Sequence, residues 1–202
     1  MARKAIARLV RRQVRDRAQD RCEYCQHPAS HSSAPFVCDH ILPRVRGTGD
    51  TPDELAWACP ACNGHKYART HALDPQTGRN VPLLNPRRQQ WSKHFVWSDD
   101  FMVIIGRTAT GRATVEALRL NRPELINLRR ALLALGLHPP ERAQETLILA
   151  FVNAHGRIVR REVGELSRLS DDEASGLLRR LVAENKLKRR GKGRGTSYES
   201  AD

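Results

Sequence analysis

The sequence predicts an α+β protein with two folded parts, and three observations lead to this fold class. Two Cys-x-x-Cys pairs in the first half of the chain flank a loop-rich insert with short strand-like arms. Helical periodicity alternates with strand-like runs over the rest of the chain. The run Leu137-His138-Pro139-Pro140 interrupts both patterns. We therefore predict a basic N-terminal helix over 1–20, a first domain over 21–138 and a second domain over 139–202.

Composition places the chain among folded globular proteins. Of its 202 residues, 40% are hydrophobic and 28% are charged, which is not the composition of a disordered chain. The longest apolar runs, such as Ala131 to Leu135, are far shorter than the roughly 20 residues that a membrane helix needs. Charged residues interrupt every apolar stretch near the N-terminus, so the core of a signal peptide is missing. We expect a soluble, cytoplasmic protein, neither transmembrane nor secreted.

Positive charge is concentrated at the two ends of the chain. The formal net charge is +13, from 35 Lys and Arg against 22 Asp and Glu. Residues 1–21 hold eight basic and two acidic side chains, and residues 177–198 hold eight basic and one acidic. Two basic ends around a nearly neutral middle predict a polyanionic partner, most simply nucleic acid. Ordinary solvated surface charge is the alternative interpretation.

Short helices and strands are predicted throughout the first domain. The apolar face of the N-terminal helix, which includes Leu9 and Val14, recurs at helical spacing. Residues 30–60 are rich in turn formers, and the apolar pair before Cys38 leads into one arm of a hairpin. The other predicted elements are a helix from Asn63, short strands within 74–91, a hairpin with arms 93–97 and 101–107, and helices over 111–119 and from Asn121 to Leu135.

The two cysteine pairs indicate a zinc site. A two-residue spacer lets a tight turn present both sulfur atoms to one ion, and four thiolates suit tetrahedral zinc. Such a closed site leaves no open coordination position, so this zinc is predicted to be structural. Cys38 is left over and is expected to be a packed free thiol. The four predicted ligands are Cys22, Cys25, Cys59 and Cys62.

The insert and the second cysteine pair also carry residues that suit phosphodiester hydrolysis. Asp39 and Asn63 offer hard oxygen ligands of the kind that Mg²⁺ prefers. His40 lies on the opposite strand face from Asp39 and can take a proton from water near neutral pH. Taken singly, His40 is more typical of a packed or surface histidine, and Asn63 of a helix cap. Their joint placement beside two thiolate pairs favours the catalytic interpretation.

These residues carry a family resemblance. The run from Arg21 to Cys25, the run Asp39-His40-Ile41-Leu42-Pro43-Arg44 and the run from Leu55 to Lys66 resemble the HNH endonuclease motif in its four-cysteine form. The placement of the cysteines is also similar to that of phage endonuclease VII-type junction resolvases. The resemblance implies a ββα-metal fold, a structural zinc, a catalytic Mg²⁺ or Mn²⁺ on Asp39 and Asn63, and His40 as the general base.

One position departs from the family pattern. The family has Asn ahead of the second cysteine pair, where it braces the loop and helps to orient the general base, and this chain has Glu54. An ionised carboxylate accepts hydrogen bonds but donates none. Glu54 could instead pair with His40 or approach the metal. Nearby, His65 is a further site candidate or a surface residue, and the predicted phosphate contacts are Arg44, Arg46 and Lys66.

The second domain resembles a winged helix-turn-helix. The predicted order is a helix over 141–153, a short strand, a short helix, a helix that begins with a capping box of Ser170 and Glu173, and a basic two-stranded wing. Within the third helix, Arg179 and Arg180 are candidate DNA contacts. Protein binding is the alternative role for such a domain. The wing carries the remaining predicted contacts, namely Lys188, Arg189, Arg190, Lys192 and Arg194.

The sequence thus predicts a metal-dependent DNA endonuclease with a winged-helix DNA-binding domain. The alternative is a non-cleaving DNA-binding regulator that keeps the HNH unit as a zinc scaffold, an interpretation that Glu54 favours. A junction resolvase is a third interpretation and would require a dimer, which no sequence feature indicates. Neither the DNA specificity nor the oligomeric state follows from the sequence.

Overall fold

The computed structural model describes residues 5–43 and 49–201, apart from the side chains of Arg142 and Arg194. The chain divides into two compact units, one ending at Arg129 and the other beginning at Arg130. The division lies inside a helix, α5, which spans Pro123–Ala134. The domain boundary predicted at 138/139 lies beyond the end of this helix and stays a prediction.

The first unit consists of small antiparallel hairpins and short helices. In chain order, its elements are α1 (Arg8–Arg17), β1 (Val37–His40), β2 (Leu55–Ala58), α2 (Pro60–Lys66), β3 (His71–Leu73), β4 (Asn80–Pro82), α3 (Trp91–His94), β5 (Phe95–Trp97), β6 (Ile104–Gly106), α4 (Ala109–Ala117) and α5. The strands pair as β1 with β2, β3 with β4, and β5 with β6. The hairpin predicted with arms 93–97 and 101–107 is formed by β5 and β6, although residues 93 and 94 of the first arm belong to the short helix α3.

The basic helix α1 packs against the first hairpin. Val14 is fully buried. Arg11 donates to the carbonyl of Phe36 at 2.5 Å, and its guanidinium lies 4.9 Å from the centre of the Trp57 ring. Arg17 donates to the carbonyls of Pro52 and Leu55 at 2.8 and 2.9 Å. Two of the arginines assigned to a polyanion partner by charge alone therefore stabilise the fold.

Aromatic residues of α3 and β5 form a small core. The ring of Trp91 lies 4.9 Å from that of Phe95 and 5.6 Å from that of Trp97, centre to centre. The indole N–H of Trp91 donates to the carbonyl of Tyr24 at 2.9 Å, which joins this core to the first cysteine pair. These rings therefore pack against one another within the first unit.

A buried ion pair joins the β3–β4 hairpin to α4. Asp74 is fully buried and accepts two hydrogen bonds of 2.8 Å from the guanidinium of Arg112. Thr77 donates a third at 2.7 Å. The bidentate geometry is the strong form of such a pair. These donors, Arg112 first, hold the pKa of Asp74 well below its ordinary value.

The second unit contains three helices beyond α5 and a three-stranded sheet. Its elements are α6 (Glu141–His155), β7 (Arg157–Ile158), α7 (Arg160–Ser167), α8 (Asp171–Ala183), β8 (Leu187–Arg190) and β9 (Ser197–Ser200). The strand order is β7-β9-β8, and all pairings are antiparallel. The predicted capping box is confirmed, because Ser170 and Glu173 bond reciprocally at the start of α8. None of the helices in the described ranges is both long and apolar enough to cross a membrane.

One apolar cluster fills the centre of this unit. It takes residues from α6, α7, α8 and the sheet, so the strands and the helices fold as one body. The order of helices and strands agrees with the order predicted from the sequence. The fully buried members of the cluster are Ile148, Ile158, Val163, Ala174, Leu178 and Leu181.

Candidate metal centre and catalytic residues

The four paired cysteines come together at one buried point. Their sulfur atoms all lie within 4.8 Å of one another. Cys25 Sγ and Cys59 Sγ are 3.8 Å apart, and a tetrahedron with Zn–S bonds of about 2.3 Å has edges of about 3.8 Å. Burial raises the pKa of Cys22, so the thiolate form needs a cation beside it. The predicted ligand set therefore fits a structural zinc ion.

Two local structures present these thiols. The first pair lies on a turn after α1, where Gln26 N–H donates to the Cys22 carbonyl at 2.9 Å. Glu23 fastens this turn to β2, because its carboxylate accepts from the N–H of Trp57 at 2.8 Å. The second pair begins α2: Cys59 is the N-cap, and its sulfur accepts from the N–H of Cys62 at 3.4 Å.

Arg122 is a neighbour of the zinc ligands that sequence reasoning missed. Its guanidinium lies 3.7 Å from Cys59 Sγ and 3.9 Å from Cys62 Sγ. Four thiolates around Zn²⁺ carry a net negative charge, and a guanidinium donating to two of them offsets part of it. No local sequence pattern marks this arginine, because it lies directly before α5 and contacts the cysteines only in the folded chain.

The first hairpin and α2 bring the other candidate residues to one region. In the antiparallel register, Asp39 is opposite Ala56 and His40 is opposite Leu55. Two residues after β2, α2 begins and carries Asn63, whose N–H donates to the Cys59 carbonyl at 3.0 Å. The order strand, strand, helix beside the cysteines is the order that the resemblance implies.

Asp39 points into the protein and is paired there. Its side chain is 4% exposed, and that of its partner Lys66 is 2% exposed. Lys66 Nζ lies 3.0 Å from Asp39 Oδ2, and the hydroxyl of Tyr24 donates to the same oxygen at 2.7 Å. The ammonium also donates to Asp39 Oδ1 at 3.2 Å and to the His40 carbonyl at 2.7 Å. Burial raises the pKa of Asp39, although Lys66 and Tyr24 oppose the shift.

This pairing bears on two predictions. Lys66 is buried against Asp39 in this structure, and its role as a phosphate contact stays a prediction. Both oxygens of Asp39 face hydrogen-bond donors, and the ammonium of Lys66 places a positive charge beside them. Within residues 5–43 and 49–201, the cysteines are the one group of three or more His, Cys, Asp or Glu side chains close enough to share an ion. Magnesium binding by Asp39 and Asn63 stays a prediction.

His40 lies on the other face of β1 and contacts a carboxylate. Its Nε2 is 2.9 Å from Oδ1 of Asp50, and the His40 side chain is 16% exposed. Because successive strand residues point to opposite faces, the ring of His40 is separated from the buried Asp39–Lys66 pair. Asp50 lies in the loop ahead of β2, and sequence reasoning did not single it out.

Glu54 braces the same loop. Its carboxylate accepts from the N–H of Gly49 at 2.8 Å, and from the hydroxyl and the N–H of Thr51 at 2.7 and 3.3 Å. These donors, the Thr51 hydroxyl first, lower the pKa of Glu54. Its hydrogen bonds among the described residues go to the loop rather than to His40. Glu54 thus braces the loop by accepting hydrogen bonds, whereas the resemblance assigns this bracing to Asn.

The remaining candidates near α2 differ in what the structure shows of them. Arg44 and Arg46 lie outside the described residues. His65 is half-buried on α2, away from Asn63 around the helix. Burial lowers the pKa of His65, and three nearby arginines lower it further: Arg122, Arg119 and Arg69. His65 is therefore part of a cationic region beside the zinc ligands.

The predicted contacts of the second unit fall into two groups. Arg180 pairs with Glu141 and lies 3.9 Å from Glu184, and Arg190 lies 3.1 Å from Glu199. These two cations are partly neutralised within the protein. The side chain of Arg194 is outside the description. The candidates that lie exposed on the surface are Arg179, Lys188, Arg189 and Lys192.

Comparison with known proteins identifies one segment. Residues 22–69 match the family model described as HNH endonuclease. No curated protein and no solved structure matches the chain. The matched residues contain both cysteine pairs, the β1–β2 hairpin and α2, so the match and the geometry coincide. The chain therefore contains a segment that matches the HNH endonuclease family model, together with a four-cysteine site compatible with zinc, and the match supports a nuclease-type function.

Proposed function

We propose that this protein is an HNH endonuclease that hydrolyses DNA phosphodiester bonds with His40 as the general base. The observation that carries the proposal is the position of His40 within the matched segment: it ends β1, stays partly accessible and is held at Nε2 by Asp50. In the proposed reaction, His40 removes a proton from a water molecule as the oxygen attacks phosphorus. The bond to the leaving oxygen breaks, and by resemblance the products carry 5′-phosphate and 3′-hydroxyl ends.

Dependence on Mg²⁺ or Mn²⁺ is part of the proposal and rests on the resemblance. A bound divalent ion would stabilise negative charge on phosphate oxygens. Because Lys66 contacts Asp39 in this structure, we propose no reaction step that involves such an ion. The cation dependence is therefore a question for the assay.

The second unit is proposed to hold the duplex. Its three helices and three-stranded sheet have the element order of a winged helix-turn-helix, and β8 and the turn after it carry exposed cations. Lys and Arg on such a surface bind phosphates without reading sequence. By resemblance, α8 is the proposed recognition helix, with Arg179 as its exposed cation. Arg180 already contacts two acidic side chains, so it is a weaker candidate for DNA binding than Arg179.

A second candidate function is favoured by a specific observation. The buried Asp39–Lys66 pair satisfies the carboxylate that would bind the catalytic ion. A chain with that pair permanently closed would bind DNA without cutting it, and its HNH segment would act as a zinc scaffold. The two candidates differ in a single measurable property, which is cleavage.

A plasmid assay tests the proposal. The full chain is incubated under reducing conditions with supercoiled, single-stranded and branched DNA, in Mg²⁺, in Mn²⁺ and in EDTA. We expect cleavage that His40→Ala lowers by about 10²-fold or more, since general-base catalysis contributes 10²–10⁴-fold. The matched control is His31→Ala, which removes an exposed histidine from the same unit. Zinc content and DNA affinity should be unchanged in both variants. No cleavage of any substrate would favour the zinc scaffold.

A further inference from the structure

Three residues around the end of β1 form a closed set of contacts. Asp50 Oδ1 lies 2.9 Å from His40 Nε2, and the side chains of Asp50 and His40 are 31% and 16% exposed. Such a partly buried hydrogen bond is less screened than one on the open surface. An ionised carboxylate only accepts, so the ring nitrogen that faces it carries the hydrogen. The contact therefore favours one ring orientation and one tautomer of His40.

Glu54 holds Asp50 from both sides. The two N–H groups that it accepts belong to Gly49 and Thr51, the neighbours of Asp50 in the chain. Gly49 allows this close approach, because a Cβ there would lie 2.9 Å from Glu54 Oε2. The main chain of Glu54 is tied to the same place, since its carbonyl accepts from Ile41 N–H at 3.0 Å. Glu54 thus connects the residue after His40 to both neighbours of Asp50.

We infer that Asp50 is a positioning residue for His40 and that Glu54 acts through Asp50. This inference rests on the proposed function, because it assigns the residues that prepare the general base of that reaction. Asp50 holds the ring with its hydrogen on Nε2, which leaves the lone pair of the neutral ring on Nδ1. Neither residue touches the substrate in this assignment. The Glu that replaces the family Asn therefore keeps the loop in a form that can orient the base.

The first test measures cleavage under single turnover with saturating protein. General-base catalysis contributes about 10²–10⁴-fold, and an unheld ring should lose part of it. We expect Asp50→Ala to lower the maximal rate about 10- to 100-fold while leaving the DNA concentration at half-maximal rate unchanged. Asp50→Asn, which is nearly isosteric, should retain more activity and guards against misfolding. The matched control is Asp53→Asn, an exposed carboxylate in the same loop, which should cleave like the parent.

A double variant tests whether Glu54 acts through Asp50. Glu54→Ala should also lower the maximal rate without changing half-saturation. If the two residues act in series, Asp50→Ala combined with Glu54→Ala should be no slower than Asp50→Ala alone. Multiplied losses in the double variant would contradict the proposed connection.

A spectroscopic measurement keeps the inference separate from the chemistry. Long-range ¹H–¹⁵N correlation spectra of the zinc-loaded chain should show His40 with hydrogen on Nε2, and Asp50→Asn should disturb that signature. If the parent chain cleaves DNA, either of two results would overturn the inference alone. One is an Asp50→Ala variant that cleaves as fast as the parent, and the other is a parent His40 that shows a mixture of tautomers. A parent chain that cleaves none of the DNA substrates would overturn the proposed function, and the inference with it.

Discussion

Lys66 Nζ lies 3.0 Å from Asp39 Oδ2, and both side chains are almost completely buried. The resemblance assigns Asp39 to a catalytic metal, yet in this structure an internal ammonium supplies the positive charge. The Tyr24 hydroxyl and the His40 carbonyl complete the hydrogen bonds of the pair. Removing one partner of such a buried pair is strongly destabilising, because the other charge is then left buried without a partner.

Removing the ammonium should therefore destabilise the first unit. Lys66→Met leaves the carboxylate of Asp39 buried without its cation, and losses of about 3–5 kcal/mol in the free energy of unfolding are typical of such a change. The double variant with Asp39→Asn should recover part of that loss, because no buried charge remains. Urea denaturation measures both. Lys93→Met, which removes an exposed lysine of the same unit, is the control. Additive losses in the double variant would contradict the pairing.

The zinc site should depend on the arginine beside it. Arg122→Met removes two N–H donors from the sulfur atoms of Cys59 and Cys62. Substitution of such outer partners typically costs about 10–100-fold in metal affinity, so we expect zinc to transfer to a competing chelator correspondingly more readily. The control is Arg119→Met, which removes an exposed arginine from the same region. Equal zinc retention by the two variants would show that Arg122 does not stabilise the site.

The acid stability of the first unit should depend on Asp74. Because Arg112 and Thr77 lower the pKa of Asp74 in the folded chain, the unfolded chain, with a pKa of about 3.9, binds the proton more readily. The contribution of Asp74 is thus present above about pH 4 and is lost as the pH falls toward its folded pKa. Asp74→Asn should be less stable than the parent at pH 7, and the difference should shrink below about pH 4.

Urea midpoints of the parent and of Asp74→Asn at a series of pH values measure this difference. Protonation of the zinc ligands affects both proteins equally, so it cancels in the comparison. Asp99→Asn, an exposed carboxylate of the β5–β6 hairpin, should follow the parent at every pH. A constant difference between the parent and Asp74→Asn would mean that the ion pair does not perturb the titration of Asp74.

What could be predicted from the sequence is what local pattern determines. The Cys-x-x-Cys spacing predicted the two thiol pairs, and the Ser170–Glu173 spacing predicted a helix start, because each depends on residues about a turn apart. Whether Lys66 meets a phosphate or Asp39 depends on how α2 packs against β1, which no short-range pattern encodes. The same holds for Arg122 on the thiolates. Charge counting overstated the cations available to DNA because it could not see Arg17 or Arg180 bonded within the fold.

The last prediction concerns the wing, defined here as residues 187–200, and it separates grip on DNA from chemistry. Lys188, Arg189 and Lys192 are exposed, and none of them contributes to the apolar cluster of the second unit. Neutralising these three cations should therefore leave folding intact. If each contacts a phosphate, the salt slope of log affinity should fall in magnitude by about one unit per residue, up to about three. The loss should be similar for different DNA sequences, since phosphates carry no base identity.

The control removes the same charge from cations that already have carboxylate partners. Arg160, Arg161 and Lys186 pair with Asp171, Glu165 and Glu145, respectively. Changing these three to Gln lowers the net charge as much as the wing variant does, but it should change the salt slope less, because each removed cation also leaves an acid behind. Affinity measured against salt concentration for the parent and both variants decides the matter. Equal slopes for the wing variant and the parent would show that the wing does not bind DNA, and protein partners would then be the better assignment for this unit.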